Sequence, residues 1–304
     1  MDNLSINNLL VPLDGSSLAE SVLPVVSQLA RKLGARVTLI HVIEKDAPEK
    51  IHGETHLTKS DQAEKYLSSV ASSDIMKGLS VTFHVHEAGV RDVAQSISDH
   101  TEELDQDLVV MCTHGSSGLR GILFGSNAQQ VISLGNTPVL LVKPPRRFLP
   151  QSYTFDKFLV ALDGNPDHEQ SLSFAVRLAK ACAATLHLLI AIPQFGTMSG
   201  EVTPANRLLP GTTARMMDMI VPVAQEYLDK IRVRIESGGL RVKTIISRRN
   251  PSDAISTTVK ETRADLIILA THGKKGAGAF WNGSLTPKIS KSSRVPLLLI
   301  PVKG

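Results

Sequence analysis

Short runs of apolar residues alternate along this chain with longer stretches in which apolar positions recur every three or four residues. The first kind reads as strands buried on both faces, the second as helices with one apolar side. In the first half, Leu9 to Leu13 reads as a strand, and Ser16 or Ser17 can cap the helix that follows. Leu18, Val22, Val25, Val26, Leu29 and Leu33 lie along one face of that helix, Pro24 should kink it, and Gly34 ends it. Val37 to Ile43 is the next strand, and the polar residues 44–57 form a loop. A helix runs from Lys59 to Met76, a strand from Val81 to His86, a helix from Asp92 to Glu103 and a strand from Leu108 to Met111. A further helix ends near Gly135, and Val139 to Val142 is the last strand.

The second half repeats the plan. Val11-Pro-Leu-Asp14-Gly-Ser recurs as Val160-Ala-Leu-Asp163-Gly-Asn, at an offset of 149 residues. Thr137-Pro-Val-Leu-Leu-Val recurs as Val295-Pro-Leu-Leu-Leu-Ile at an offset of 158, so the second copy has gained about nine residues in between. Its strands fall near 157–162, 185–192, 241–247, 265–270 and 295–300. The Pro- and Gly-rich stretch 193–213 reads as a long loop that holds the extra residues. Strands that alternate with helices imply a mostly parallel sheet with right-handed crossovers. Two such domains are expected, 1–145 and 155–304, with 146–154 as a linker behind Lys143-Pro-Pro-Arg-Arg.

The longest repeated pattern follows the fourth strand of each half. Asp107-Leu-Val-Val-Met-Cys-Thr-His-Gly115 precedes nine residues and then Gly125-Ser126; Asp265-Leu-Ile-Ile-Leu-Ala-Thr-His-Gly273 precedes nine residues and then Gly283-Ser284. A Gly-rich loop with hardly any acidic residue, leading into a helix start, offers backbone N–H groups to an anion such as phosphate. A tight turn alone would not require the interval to be kept in both copies. In a doubly wound sheet, ligands bind beyond the carboxyl ends of the strands where the strand order reverses. Asp14, the end of the second strand near Val42, and the Gly115 loop converge there. Asp14 could accept hydrogen bonds from ribose hydroxyls or form only a local Asp-Gly turn; its repetition as Asp163-Gly weighs toward a ligand.

Composition narrows the alternatives. The 304 residues are 42% apolar and 20% charged, ordinary for folded domains. Residues 1–149 carry 13 Lys/Arg against 17 Asp/Glu, and residues 150–304 carry 20 against 12. The basic residues of the second half are scattered, and only one Trp and three Tyr are available for stacking, so a solvated basic face is expected rather than nucleic-acid binding. No stretch approaches the roughly 18 apolar residues that read as a membrane span. Met1-Asp-Asn-Leu-Ser lacks a signal-peptide pattern, and the two cysteines, Cys112 and Cys182, suggest neither a disulfide framework nor a metal site. A reducing cytoplasm is the expected setting. There is no Walker A signature and no organised nucleophile and base, so no catalytic residue is assigned.

Together these motifs resemble the universal stress protein family, over nearly the whole chain and in both halves. The resemblance implies two tandem flavodoxin-like domains, each a doubly wound five-stranded parallel sheet of order 3-2-1-4-5, with their last strands pairing across a pseudo-twofold axis. It implies an adenine nucleotide such as ATP, with or without Mg, bound in a stress-response or signalling role with at most slow hydrolysis. In the nucleotide-binding branch the loop reads G-x2-G-x9-G-[ST]. Here Cys112 and Ala270 stand at the first glycine, where a need for positive φ would bring strain. By analogy Asp14 and Asp163 contact adenosine, beside Pro12, and Val42 and Ala191 lie against adenine. His114, Gly115, Gly125, Ser126 and Asn127 surround the phosphates, as do His272, Gly273, Gly283, Ser284 and Leu285. Trp281 takes the place of Leu123 and reads as packing rather than a stacking platform. A homo-oligomer is implied. The alternative is a nucleotide-free interaction module of the same fold, favoured by the missing first glycines.

Overall fold

The computed structural model describes residues 5–51, 53–113, 126–144, 153–165, 169–192, 210–272 and 285–302. In the first half these form β1 (Asn8–Pro12), α1 (Ser17–Glu20), α2 (Leu23–Leu33), β2 (Arg36–Glu44), β3 (Lys50–Ile51), β4 (Glu54–Thr55), α3 (Ser60–Ala71), β5 (Val81–Val90), α4 (Val93–Glu103), β6 (Leu108–Cys112), α5 (Ser126–Leu134) and β7 (Val139–Val142). The second half holds β8 (Lys157–Leu162), α6 (Gln170–Cys182), β9 (Thr185–Ala191), α7 (Pro210–Glu236), β10 (Val242–Ser247), α8 (Pro251–Thr262), β11 (Leu266–His272), α9 (Leu285–Ser292) and β12 (Leu297–Val302).

Ten of the strands form one sheet in the order β10-β9-β8-β11-β12-β7-β6-β1-β2-β5. Each half contributes five parallel strands in the order 3-2-1-4-5, counting its sheet strands along the chain. The halves meet where β7 and β12 run antiparallel, with Leu297 opposite Leu141, Leu298 opposite Leu140 and Leu299 opposite Val139. Unpaired, these two apolar edges would offer their N–H and C=O groups to any passing strand.

Strand alternation sorts the core into two layers. Leu9 and Val11 of β1 face α2, α3, α6 and α7, whose Val26, Leu67, Leu178 and Ile231 join the same buried cluster. Leu10 faces the other side, with Ile97 of α4, Val131 of α5, Ile255 of α8 and Ile289 of α9. Each cluster runs through both halves. The seam also carries an ion pair between Lys32 Nζ and Asp156 Oδ1 at 2.7 Å, and Lys143 Nζ donates to Ser290 O at 2.7 Å.

Several expectations need correction. The helix after β1 is not kinked at Pro24 but divided into α1 and α2, with Pro24 in the first turn of α2. Proline lacks the N–H that would bond Glu20 O, so the chain ends one helix and begins another. Of the two expected cap candidates, Ser16 is the one that caps α1: its hydroxyl accepts from Ala19 N at 3.1 Å. The loop at 44–57 contains the small β3–β4 hairpin. α3 stops at Ala71, not Met76, because Ser73 donates both its N–H and its hydroxyl to Val70 O. β5 extends to Val90 through an irregularity opposite Val42 and Glu44. In the second half the stretch expected as loop to residue 213 is already helical from Pro210. Proline and glycine are tolerated in a first turn, where N–H groups have no intrahelical partner. The rest of that loop, 193–209, and most of the expected linker lie outside the described residues.

Candidate functional site

The strand order reverses between β1 and β6 in the first half and between β8 and β11 in the second. From β1 the chain crosses to β2 on one side; from β6 it crosses to β7 on the other. At the carboxyl ends of these strands the first half gathers Pro12, Asp14, Val42 and Cys112. Pro12 sits opposite Ile40, and Leu13 N continues the ladder to Ile40 O at 2.8 Å. Val42 is buried and pairs with His86 on β5. Cys112 pairs with Val142, and Thr113 N reaches Val142 O at 2.9 Å. In the second half Asp163, Ala191, Ala270 and the backbone of His272 hold the matching places. Ala191 pairs with Ser247, Ala270 with Ile300 and His272 with Val302. Ser126 and Asn127 open α5, both exposed, and half-buried Leu285 opens α9. His114, Gly115, Gly125, Gly273, Trp281, Gly283 and Ser284 lie outside the described residues.

Asp14 makes the turn that the sequence weighs against a ligand role. Its Oδ1 accepts from Ser16 N at 3.0 Å and from Ser16 Oγ at 2.6 Å, with Gly15 between them at φ +88°. Asp163 repeats this with Asn165 N at 3.0 Å and Gly164 at φ +81°. Cys112 and Ala270 lie in strand pairing, and neither is among the described residues with positive φ. The condition for strain, a positive φ, is therefore not met at either position.

Three neighbours of the first site are not named by its motifs. Glu54 of the β3–β4 hairpin accepts from Ser17 Oγ at 2.7 Å and from Ser17 N at 3.2 Å, which puts a second carboxylate at the start of α1. Leu57 lies against Gly15. His41, buried on β2, has Nδ1 2.7 Å from Leu13 O and Nε2 2.9 Å from Leu57 O. Carbonyls only accept, so a neutral ring donates to one of them and a charged ring to both. His41 thus ties the end of β1 to the segment behind the hairpin. A histidine inside the apolar run Val37 to Ile43 was the available signal; Ile190 stands at the matching place of the second half.

The opposite end of the sheet explains the aspartate that begins each long motif. Asp107 Oδ2 accepts from Asn7 N at 2.7 Å and from Asn8 N at 3.0 Å. Asp265 Oδ2 accepts from Asp156 N at 2.7 Å and from Thr154 Oγ1 at 2.8 Å. Both fasten the entry of β1 or β8, at the end of the sheet opposite to Asp14 and Asp163. Burial pushes the Cys182 thiol up to about 12, so it remains a protonated core residue rather than a nucleophile.

A family model described as the universal stress protein family matches residues 5–143 and again 154–301. The chain belongs to the universal stress protein family. Universal stress protein YxiE of Bacillus subtilis is 27% identical in an alignment 161 residues long that covers 48% of this chain and 99% of that protein. Universal stress protein Slr1230 of Synechocystis is 22% identical over 313 residues, covering 96% of this chain and 98% of its own. Among solved structures, a universal stress protein from Archaeoglobus fulgidus shares the fold at a TM-score of 0.68 and 21% identity, covering 98% of this chain and 99% of the other. Among the described residues no helix is long and apolar enough to cross a membrane.

Proposed function

We propose that the chain binds an adenine nucleotide, ATP by preference, in a stress-response or signalling role, with hydrolysis slow at most. One observation carries this reading: the interval Gly-x9-Gly-Ser follows β6 and again β11, each at the switch point of a doubly wound sheet. The carboxylates at the α1 turn suit hydroxyl groups better than phosphates. Asp14 and Asp163 would therefore meet ribose beside Pro12, with Val42 and Ala191 against the base. Phosphates, with Mg where it accompanies them, would lie toward His114, Gly115, Gly125, Ser126 and Asn127, or toward His272, Gly273, Gly283, Ser284 and Leu285, past Cys112 or Ala270.

Two domains, 1–145 and 155–304, joined by 146–154, would act as an intramolecular pair, a reading supported by the β7–β12 ladder. Further assembly into a homo-oligomer goes with it. The two cysteines, one in each half and neither in a disulfide, support a cytoplasmic setting. The test is mass spectrometry of small molecules released by denaturing freshly purified protein. Recovery of ATP or ADP supports the reading; recovery of no adenine compound, from protein that also fails to bind added ATP, leaves the interaction module.

A further inference from the structure

His84 and His86 alternate on β5 and so point to the same face of the sheet, where α4 packs over them and adds His100. One ring nitrogen of each lies within 4.8 Å of the others. His84 Nε2 and His100 Nε2 stand 3.1 Å apart, and the rings of His86 and His100 meet edge to face with centroids 5.0 Å apart. Glu103, one turn further along α4, brings Oε2 to 3.7 Å from His100 Nε2.

From this geometry we propose that His84, His86 and His100 form a binding site for a divalent transition-metal ion of the zinc type, with Glu103 or water completing a tetrahedral set. Zinc bonds imidazole nitrogen at about 2.0–2.1 Å, so two ligand atoms of a tetrahedron lie about 3.3 Å apart. The 3.1 Å between the His84 and His100 nitrogens already approaches that spacing. His100 is oriented as metal-bound histidines commonly are. Its Nδ1 is 2.7 Å from Ser96 O, which can only accept, so Nδ1 carries the proton and Nε2 presents its lone pair inward. Without metal that lone pair accepts from His84 Nε2–H. On metal binding the His84 proton moves to Nδ1 and the metal takes the place between the two nitrogens.

The duplicated half provides an internal control on whether the fold itself needs these rings. His84 pairs with Ile40 as Ile245 pairs with Leu189, and His86 pairs with Val42 as Ser247 pairs with Ala191. Asp92 and Asn250 cap the matching helices, which puts Thr258 at the place of His100. The matching places of the second half are held by Ile245, Ser247 and Thr258, so the three histidines belong to the first half alone. The proposal does not rest on nucleotide binding.

The test uses the full chain stripped with a chelator and titrated with Zn²⁺ by calorimetry, with Co²⁺ absorption as a second readout. The expected result is one Zn²⁺ at this site, visible bands of tetrahedral Co²⁺, and affinity reduced about 10-fold or more by His86→Asn and by His100→Gln. His187→Thr, in the other half, should change neither readout. If buried His100→Gln does not fold, His84→Asn joins His86→Asn, both at half-buried positions. No Zn²⁺ binding at micromolar concentration, or binding that His86→Asn leaves unchanged, overturns the proposal.

Discussion

Leu57 lies directly over Gly15. A β-carbon built on Gly15 would stand 2.8 Å from Leu57 Cδ1 and 2.9 Å from its Cγ, closer than real carbon contacts. Gly164, the matching residue of the second half, also has a positive φ, but among the described residues nothing lies within 4 Å of such a carbon. The two positions separate conformational strain from crowding. Gly164→Ala should cost about 1–2 kcal/mol from positive φ alone. Gly15→Ala should cost that plus about 1–3 kcal/mol of overpacking, part of which Leu57→Ala should restore. Urea unfolding of the three variants decides this; equal costs at the two glycines would remove Leu57 from the explanation.

The clamp at the other end of the sheet predicts a defect that spares any ligand site. Asp265→Ala removes the acceptor for Asp156 N, Thr154 Oγ1 and Lys157 N. The contacts are exposed, so the cost should be about 1–3 kcal/mol. Thermal unfolding should show it, with ATP affinity unchanged. A variant as stable as the parent would mean that water replaces these bonds without loss.

His187 is buried on β9, and its Nδ1 has no hydrogen-bond partner among the described residues. Burial first, then the Lys243 charge, lowers its pKa below the ordinary 6.5. A lowered histidine pKa means that the unfolded chain binds the proton first. Its contribution to stability is therefore full above 6.5 and is lost as pH falls from there through the folded value. Thr38 holds the matching place in the first half. His187→Thr should accordingly flatten the loss of stability between about pH 7.5 and 5.5, measured by urea midpoints with chelator present. An unchanged pH slope would contradict this.

The β7–β12 seam places Leu140 opposite Leu298, both fully buried. Leu140→Ala and Leu298→Ala should each cost about 2–5 kcal/mol. Because they share one contact, the double variant should depart from additivity by at least about 0.5 kcal/mol. Strict additivity would mean that the two halves do not lean on this pair in solution.

The duplication carried most of what could be read beforehand. Two copies of Asp-Gly, the apolar strand runs and Thr-Pro-Val-Leu-Leu-Val against Val295-Pro-Leu-Leu-Leu-Ile gave the strands and their repetition, while the strand order came with the family resemblance. Boundaries that depend on single hydrogen bonds were not legible: Ser73 ending α3 at Val70 O, or Pro24 opening a helix rather than bending one. The Asp-Gly turns at Asp14 and Asp163 were legible because their local chemistry repeats. The candidate site was not legible where distant segments meet, as when Glu54 reaches Ser17 or His41 joins Leu13 to Leu57. The histidine cluster was hidden for the same reason: His84 and His86 read as the polar face of a strand, and only the packing of α4 brings His100 to them.

Calorimetry with ATP decides whether the repeated glycine–serine intervals hold nucleotide phosphate. The parent should bind in the micromolar range, about −8 kcal/mol or somewhat weaker. In a Gly283→Val background, Gly125→Val should weaken the remaining site more than tenfold, since a side chain there crowds the phosphate and tilts N–H donors worth about 1.5–3 kcal/mol each. Cys112→Gly in the same background should leave affinity unchanged or raise it modestly, since the strand already accepts a side chain at that position. A folded Gly125→Val, Gly283→Val protein that binds ATP as tightly as the parent would contradict the account.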